Sequence, residues 1–184
     1  MGAERQVAEL VLQLGRAAYA ECSASGPTQA QWIALRFFAR ANRFSRNVSG
    51  FADFHATTRG TASQTVKSLV EQGYLKGTRS EKDARRVRFD LTPRAREALA
   101  EDPLEGVVRA ARKLSSTQLD RTASGLRQIM AVLAEDREGS LSGVCELCGH
   151  LDRGNGEKLR CRLMQESLED HELQELCVRY QPRA

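Results

Sequence analysis

At 184 residues, 28% charged and 41% hydrophobic with a net charge of +4, the chain is long enough for one well-buried domain with an appendage and too short for two full-sized domains. No apolar run approaches the roughly 20 residues needed to cross a bilayer, and Glu4 and Glu9 stand where a signal peptide would be basic and then apolar. Neither lipidation pattern is met, so the expectation is a cytoplasmic protein with no membrane partner.

The charge is unevenly placed. Residues 34–96 hold fourteen Lys and Arg against five Asp and Glu, a local net of +9, which leaves −5 for the remainder. A basic third on an acidic frame is the electrostatic footprint suited to a phosphate backbone, although solvated helix faces are also commonly basic.

In chain order, Val7, Leu10, Val11, Leu14, Ala17 and Ala18 recur at helical spacing and predict a first helix ending near Cys22. The stretch "SASGPTQAQW" breaks and restarts it, with Thr28 as N-cap and Gln31 completing a capping box for a second helix to about Arg40. A short third helix carries Val48, Phe51 and Ala52. A turn around "HATT" separates it from a fourth helix that starts near Thr58 and stops at Gly73, a residue that tolerates positive φ.

In the fourth helix Ala62, Val66, Leu69 and Val70 form the buried side. Arg59, Ser63, Gln64 and Lys67 lie on other faces, with Thr58, Gly60 and Thr61 at the start, and none is acidic. Free N–H groups at a helix start hold phosphate, and short polar side chains let the backbone enter a major groove. An ordinary exposed helix side would carry the same residues. The adjoining stretch "YLKGTRSEKDARRVRFDLT" reads as a two-stranded hairpin in which Val87, Phe89 and Leu91 alternate with Arg88 and Asp90, and Arg79, Lys82, Arg85 and Arg86 make a basic tip. Thr92 and Pro93 supply an N-cap and first-turn proline for a helix over 94–113. A last helix over 116–135 aligns Leu119, Leu126, Ile129, Met130 and Leu133.

From residue 3 to about 135 the chain resembles the MarR-type winged-helix transcriptional regulators. The resemblance rests on Asp83, Arg85 and the strand ending in Leu91 and Thr92, on "TQAQWIALRFF", on Ala52, and on Gly73 followed by Tyr74 and Leu75. It implies that Arg85 enters the minor groove, that Asp83 fixes the Arg85 side chain, and that the start of the fourth helix reads the major groove of double-stranded DNA. It also implies a homodimer joined through the first and last helices, whose two-fold symmetry matches a pseudopalindromic operator. The chain departs from the family at Ala95, where Gly usually follows Leu-Thr, and at His55, in a normally apolar turn position. His55 reads as a satisfied, partly buried residue rather than a sensor.

Beyond a polar linker, "EDREGSLSG", Cys145, Cys148, Cys161 and Cys177 are spaced C-x2-C-x12-C-x15-C. In a reducing compartment this cluster points to metal ligation or redox chemistry before structural disulfides. Four thiolates complete a tetrahedral Zn2+ site or anchor an iron-sulfur cluster. A zinc knuckle is suggested by "CELCGH", with Gly149 leaving backbone N–H groups free for the thiolates, but the second knuckle of a zinc ribbon is missing. Cys161 and Cys177 stand alone, as cluster ligands do. The two metals are evenly matched, with metal-free thiols a third reading. Leu147, Leu151, Leu159, Leu163, Met164, Leu168, Leu173, Leu176 and Val178 are too few for an independent core. Ser167 with Asp170 reads as a capping box opening a helix that delivers Cys177. His150 and His171 are close enough in sequence to replace a cysteine, and Cys22 has no assigned role.

The expected fold class is mainly α with a small β-wing. Residues 1–27 form an N-terminal dimerisation helix, 28–96 a winged helix-turn-helix, 97–136 C-terminal dimerisation helices, and 137–184 a metal-stapled, cysteine-rich tail. The expected function is a sequence-specific DNA-binding transcriptional regulator, acting as a repressor, whose four-cysteine centre senses redox state or metal supply by shifting the tail against the dimer helices. The alternative is a ligand-responsive regulator of the same fold whose zinc-stapled tail is only structural or an interaction module. Trp32, Phe37 and Phe38 could line a cleft for its small-molecule effector, although aromatic residues at helical spacing are more often plain core. No enzyme is expected: a glycine-rich phosphate loop, nucleophile elbow, HExxH helix and carboxylate pair are all missing from the sequence.

Overall fold

Seven α-helices and seven short strands follow one another in the computed structural model, which describes residues 2–19, 26–79, 87–135, 142–154 and 159–183. Helix α1 (Ala3–Ala17) ends sooner than its apolar pattern suggested, at Ala18, and Cys22 lies outside the described residues. Helix α2 (Gln29–Arg40) starts at the expected capping box: the Thr28 hydroxyl accepts the Gln31 N–H, and the Gln31 side chain accepts the Thr28 N–H at 2.8 Å. Helix α3 (Val48–Phe54) is capped by Asn47, whose side chain accepts the Gly50 N–H. A Cβ at Gly50 would sit 2.2 Å from the Ser45 carbonyl oxygen, so only glycine lets α3 approach the preceding loop.

Helix α4 (Arg59–Glu71) is capped by Thr58 and closes at Gly73, whose φ of +74° is the left-handed conformation that stops a helix. Strands β1 (Leu75–Arg79) and β2 (Val87–Leu91) pair antiparallel with Leu75 opposite Leu91 and Gly77 opposite Phe89. The helix expected over 94–113 is two: α5 (Pro93–Ala100) and α6 (Leu104–Ala111). Pro103 has no N–H to continue the ladder, and the Asp102 carboxylate accepts the Leu104 N–H to restart it. Helix α7 (Ser116–Glu135) spans the expected range.

The main core forms where α2 crosses α3, α4 and the hairpin. Phe37, Phe38 and Phe51 are fully buried, and Phe38 meets Phe37 edge-on at 5.1 Å and Phe89 at 6.0 Å. Trp32, Phe37 and Phe38 are therefore packed core, the commoner role of aromatics at helical spacing. In α1, by contrast, none of the side chains is buried. Val7, Leu10, Val11 and Leu14 there, and Leu126, Ile129, Met130 and Leu133 on α7, face outward.

The tail is built from strands of two residues: β3 (Gly143–Val144), β4 (Leu151–Asp152), β5 (Arg160–Cys161), β6 (Glu166–Ser167) and β7 (Leu176–Cys177). β3 pairs with β7, and β4, β5 and β6 form a separate antiparallel sheet. The helix expected to deliver Cys177 is a single 3-10 turn (Asp170–Gln174), capped by Glu169 with Glu172 instead of Ser167 with Asp170, and Cys177 itself lies in β7. A short polar segment with little apolar surface gains more from strand pairing against existing backbone than from an isolated helix.

Candidate nucleic-acid interface and cysteine centre

Helix α4 has one apolar side buried and one polar side exposed. Ala62, Val66 and Leu69 are buried against α2 and α3, while Thr58, Arg59, Gly60, Thr61, Ser63, Gln64 and Lys67 are exposed on the other side. The Thr58 hydroxyl accepts the Thr61 N–H at 3.2 Å, which holds the helix start in shape, and no acid occupies the first turn. Lys67 has a loose i, i+4 partner in Glu71 at 3.7 Å, both largely exposed. Arg79 is exposed at the end of β1, whereas Lys82, Asp83, Arg85 and Arg86 lie outside the described residues.

Part of the basic excess counted from the sequence is spent inside the molecule. Arg36 donates two hydrogen bonds to Asp102 and one to the Tyr19 hydroxyl at 2.9 Å, tying α2 to the end of α1 and to the α5–α6 break. Hydrogen bonding to Asp102 raises the Arg36 guanidinium above its ordinary range. Burial pushes the Asp102 carboxyl up, but the hydrogen bonds from Arg36 and Leu104 outweigh it and hold the group below its usual value. Arg94 stacks over Tyr74 and donates to the Gln72 carbonyl. Arg43 and Arg46 are also committed, and their partners are in the tail.

The four cysteines converge. Register sets this: Gly143 lies opposite Cys177 and Leu151 opposite Cys161, so the β3–β7 pair brings Cys145 to Cys177 while the β4–β5 pair brings Cys161 beneath the turn that carries Cys148. Together with Asn42, Phe44, Leu151, Leu163, Met164 and Leu168 they line one closely packed pocket, a cavity of about 10 Å³. Cys145, Cys148 and Cys177 are buried, Cys161 is half-buried, and none forms a disulfide. His150 borders the pocket, whereas His171 is exposed beside Glu169 at 3.3 Å. Among the described residues, no group of three or more His, Cys, Asp or Glu is already arranged to hold a metal ion.

Several polar groups address the sulfurs. Asn42 Nδ2 donates to Cys145 Sγ at 3.5 Å, and the Arg179 N–H donates to Cys177 Sγ at 3.4 Å. A hydrogen bond from Cys145, followed by those from Arg179, Asn42 and Ser45, lowers the Cys177 thiol to about 6 against the cost of burial. The same shared proton, then burial, pushes the Cys145 thiol up. The shared hydrogen bond thus favours the thiolate at Cys177 and the thiol at Cys145, and thiolate is the ligating form. The N–H of Gly149, expected to be free for a thiolate, instead donates to the Gln181 carbonyl at 2.8 Å, because the chain's last strand-like residues close over the turn.

The loop joining α2 to α3 receives the tail, and nothing in its sequence announces this. Ala41 bridges to Leu176, the Asn42 N–H donates to the Leu176 carbonyl at 2.8 Å, and the Val178 N–H donates to Ser45 Oγ at 3.2 Å. Arg43 pairs with the buried Glu172 at 3.4 Å and stacks over Phe44. Arg46 reaches Glu175 at 2.9 Å and Asp90 of β2 at 3.3 Å, while its carbonyl accepts the Phe89 N–H at 2.8 Å. Leu176 and Val178 join the main core. The tail therefore docks on the winged-helix unit and its α2–α3 loop, correcting the expectation that it works against the dimer helices. Arg43 and Arg46 count toward the basic excess of the sequence, yet both are paired in the fold, with tail partners Glu172 and Glu175 that stand more than a hundred residues away.

This arrangement of α2 to α5 with its hairpin is a winged helix-turn-helix, similar in fold to the MarR-type transcriptional regulators. A family model described as the MarR family matches residues 25–86. A MarR/EmrR family transcriptional regulator from Acinetobacter sp. ADP1 superposes with a TM-score of 0.58 at 18% identity, over 72% of this chain and 95% of that one. MepR of S. aureus in complex with DNA gives 0.55 at 13% identity, over 72% and 98%. BpsR of Bordetella bronchiseptica, whose DNA binding is regulated by 6-hydroxynicotinic acid, gives 0.54 at 16% identity, over 70% and 93%. No curated protein sequence matches the chain. Among the described residues no helix is long and apolar enough to cross a membrane.

Proposed function

We propose that the protein is a homodimeric, sequence-specific DNA-binding repressor whose C-terminal cysteines hold a metal centre. The observation that carries the DNA-binding reading is α4, with its apolar side buried and an acid-free, exposed start formed by Thr58, Arg59, Gly60, Thr61, Ser63 and Gln64. Such a start offers N–H groups and a cation to phosphate and short side chains to base edges. Lys67, Arg79 and, by resemblance, Lys82, Asp83, Arg85 and Arg86 complete the contact set. The outward apolar faces of α1 and α7 support the dimer, since among the described residues their large apolar side chains stay exposed. The likeness to MepR bound to DNA and to the ligand-regulated BpsR is in keeping with this reading.

The metal centre is supported by four cysteines around one pocket with hydrogen-bond donors on two of the sulfurs. Binding-site selection with the full-length protein tests the DNA reading. Ser63→Ala or Gln64→Ala should relax preference at one or two positions by about 1–3 kcal/mol per lost base contact, and Arg59→Ala should reduce the salt slope by about one. Unchanged preference in both α4 variants would show that another surface reads the operator. Metal analysis of the purified protein beside Cys145→Ser tests the centre, since equal and negligible metal in both would remove it.

A further inference from the structure

The outer face of the hairpin carries a more specific reading, which rests on the DNA-binding function proposed above. Successive strand residues point to opposite faces. Phe89 packs on Phe38 in the core, so Arg88 and Asp90 project from the other side, where Thr78 and Lys76 stand opposite them on β1. Arg88 brings both Nε and Nη2 to 3.1 Å from Asp90 Oδ2. The other Asp90 oxygen meets Arg46 Nη1 at 3.3 Å, and Arg46 Nη2 reaches Glu175 of the tail at 2.9 Å. Four charges of alternating sign therefore run from tail to wing: Glu175, Arg46, Asp90 and Arg88.

The inner end of this row is fixed and the outer end is open. Glu175 precedes Leu176, whose side chain lies in the main core and whose carbonyl holds the Asn42 N–H. Arg46 also donates through Nε to the Ala41 carbonyl, and its own carbonyl accepts the Phe89 N–H. Arg88, by contrast, is half exposed, three residues beyond Arg85 on the strand that leaves the basic tip. Half-exposed ion pairs add little to stability, so the main effect of the row is on where the Arg88 guanidinium points. A cation already held in one direction gives up less rotamer freedom when it meets a phosphate.

We propose that Arg88 is a further DNA-backbone contact of the wing, and that Glu175 of the tail positions it through Arg46 and Asp90. Glu175 balances one side of the Arg46 guanidinium. With that charge removed, Arg46 draws the Asp90 carboxylate toward itself, and Arg88 loses the partner that aims it. Charge alone predicts the opposite sign, since removing an acid from a protein that binds a polyanion strengthens the binding. The direction of the change therefore separates positioning from bulk electrostatics.

The test uses the full-length protein and a duplex that it selects from a random pool, with affinity measured over a range of salt and folding followed by circular dichroism. Arg88→Ala should weaken selected and unrelated duplexes alike and reduce the salt slope by about one. Glu175→Gln, which keeps the side chain's shape, and Asp90→Asn should each weaken binding by about three- to ten-fold, although each removes a negative charge. Added to Arg88→Ala, Glu175→Gln should change affinity by less than about two-fold. A pool that yields no duplex with the parent protein overturns the DNA-binding reading and this one with it. Once a duplex is selected, an unchanged salt slope in Arg88→Ala overturns the backbone contact alone. Equal or tighter binding by folded Glu175→Gln overturns the positioning, and an undiminished loss from Glu175→Gln in the Arg88→Ala background overturns the path to Arg88.

Discussion

Leu176→Ala tests whether the cysteine tail is part of the winged-helix core or an independent appendage. Leu176 is 7% exposed and belongs to the same buried cluster as Phe37, Phe38 and Leu75. Truncating a buried leucine removes its transfer free energy and leaves a cavity, which costs about 2–5 kcal/mol. Leu176 enters from the edge of the core, where neighbours relax more readily, so about 2–3 kcal/mol is expected. The Asn42 N–H to Leu176 carbonyl bond is retained, because alanine keeps the backbone. In a chain of this size each kcal/mol moves the midpoint by about 2–4 °C, so the main transition should fall by about 5–10 °C. Thermal unfolding followed by circular dichroism on metal-cleared protein reads this without the stabilisation a bound metal would add. Leu163→Ala, in the same tail but 47% exposed, should stay within about 0.5 kcal/mol. A main transition that moves by less than about 2 °C in Leu176→Ala would refute shared packing of tail and winged helix.

The dimer is addressed by Ile129→Asp, which sets a charge in the exposed apolar face of α7; sedimentation at micromolar concentration should show monomer, with a dissociation constant raised about ten-fold or more. An unchanged dimer would place the interface elsewhere. Asp102 links α2 to the α5–α6 break through Arg36, both side chains less than one-fifth exposed. Its carboxyl lies lower in the folded than in the unfolded chain, so its stabilisation is present above the unfolded value of about 3.9 and is lost as pH falls through the folded value. Asp102→Asn should therefore be less stable than the parent by about 1.5–3 kcal/mol near neutral pH, with the two urea-unfolding curves converging in strong acid. A gap that persists undiminished into strong acid would contradict the ion pair as its source.

Local features were legible because their causes are local. The Thr28–Gln31 capping box, the Thr58 and Thr92 caps, Gly73 at positive φ, and the β1–β2 alternation each depend on residues within a few positions of one another. Periodicity likewise assigned α4 its buried Ala62, Val66 and Leu69, but Val70, expected beside them, is exposed at the edge of that face. The cysteine spacing marked the four thiols as a group, and the structure places all four around one pocket.

What the sequence by itself determined was thus the order of helices, the hairpin, the exposed start of α4 and the identity of the four thiols. Only the tertiary structure decided where the charges and the tail go. Arg43 and Arg46 belong to Glu172 and Glu175, partners far along the chain that no periodicity connects to them. One helix was expected over 94–113, and the break at Pro103 emerged only in the fold, where Asp102 holds both Arg36 and the Leu104 N–H. Strands two residues long have no period to detect, so β3 and β7, which bring Cys145 to Cys177 and Leu176 to Asn42, exist only because the 41–46 loop offers backbone and a core edge for them to complete.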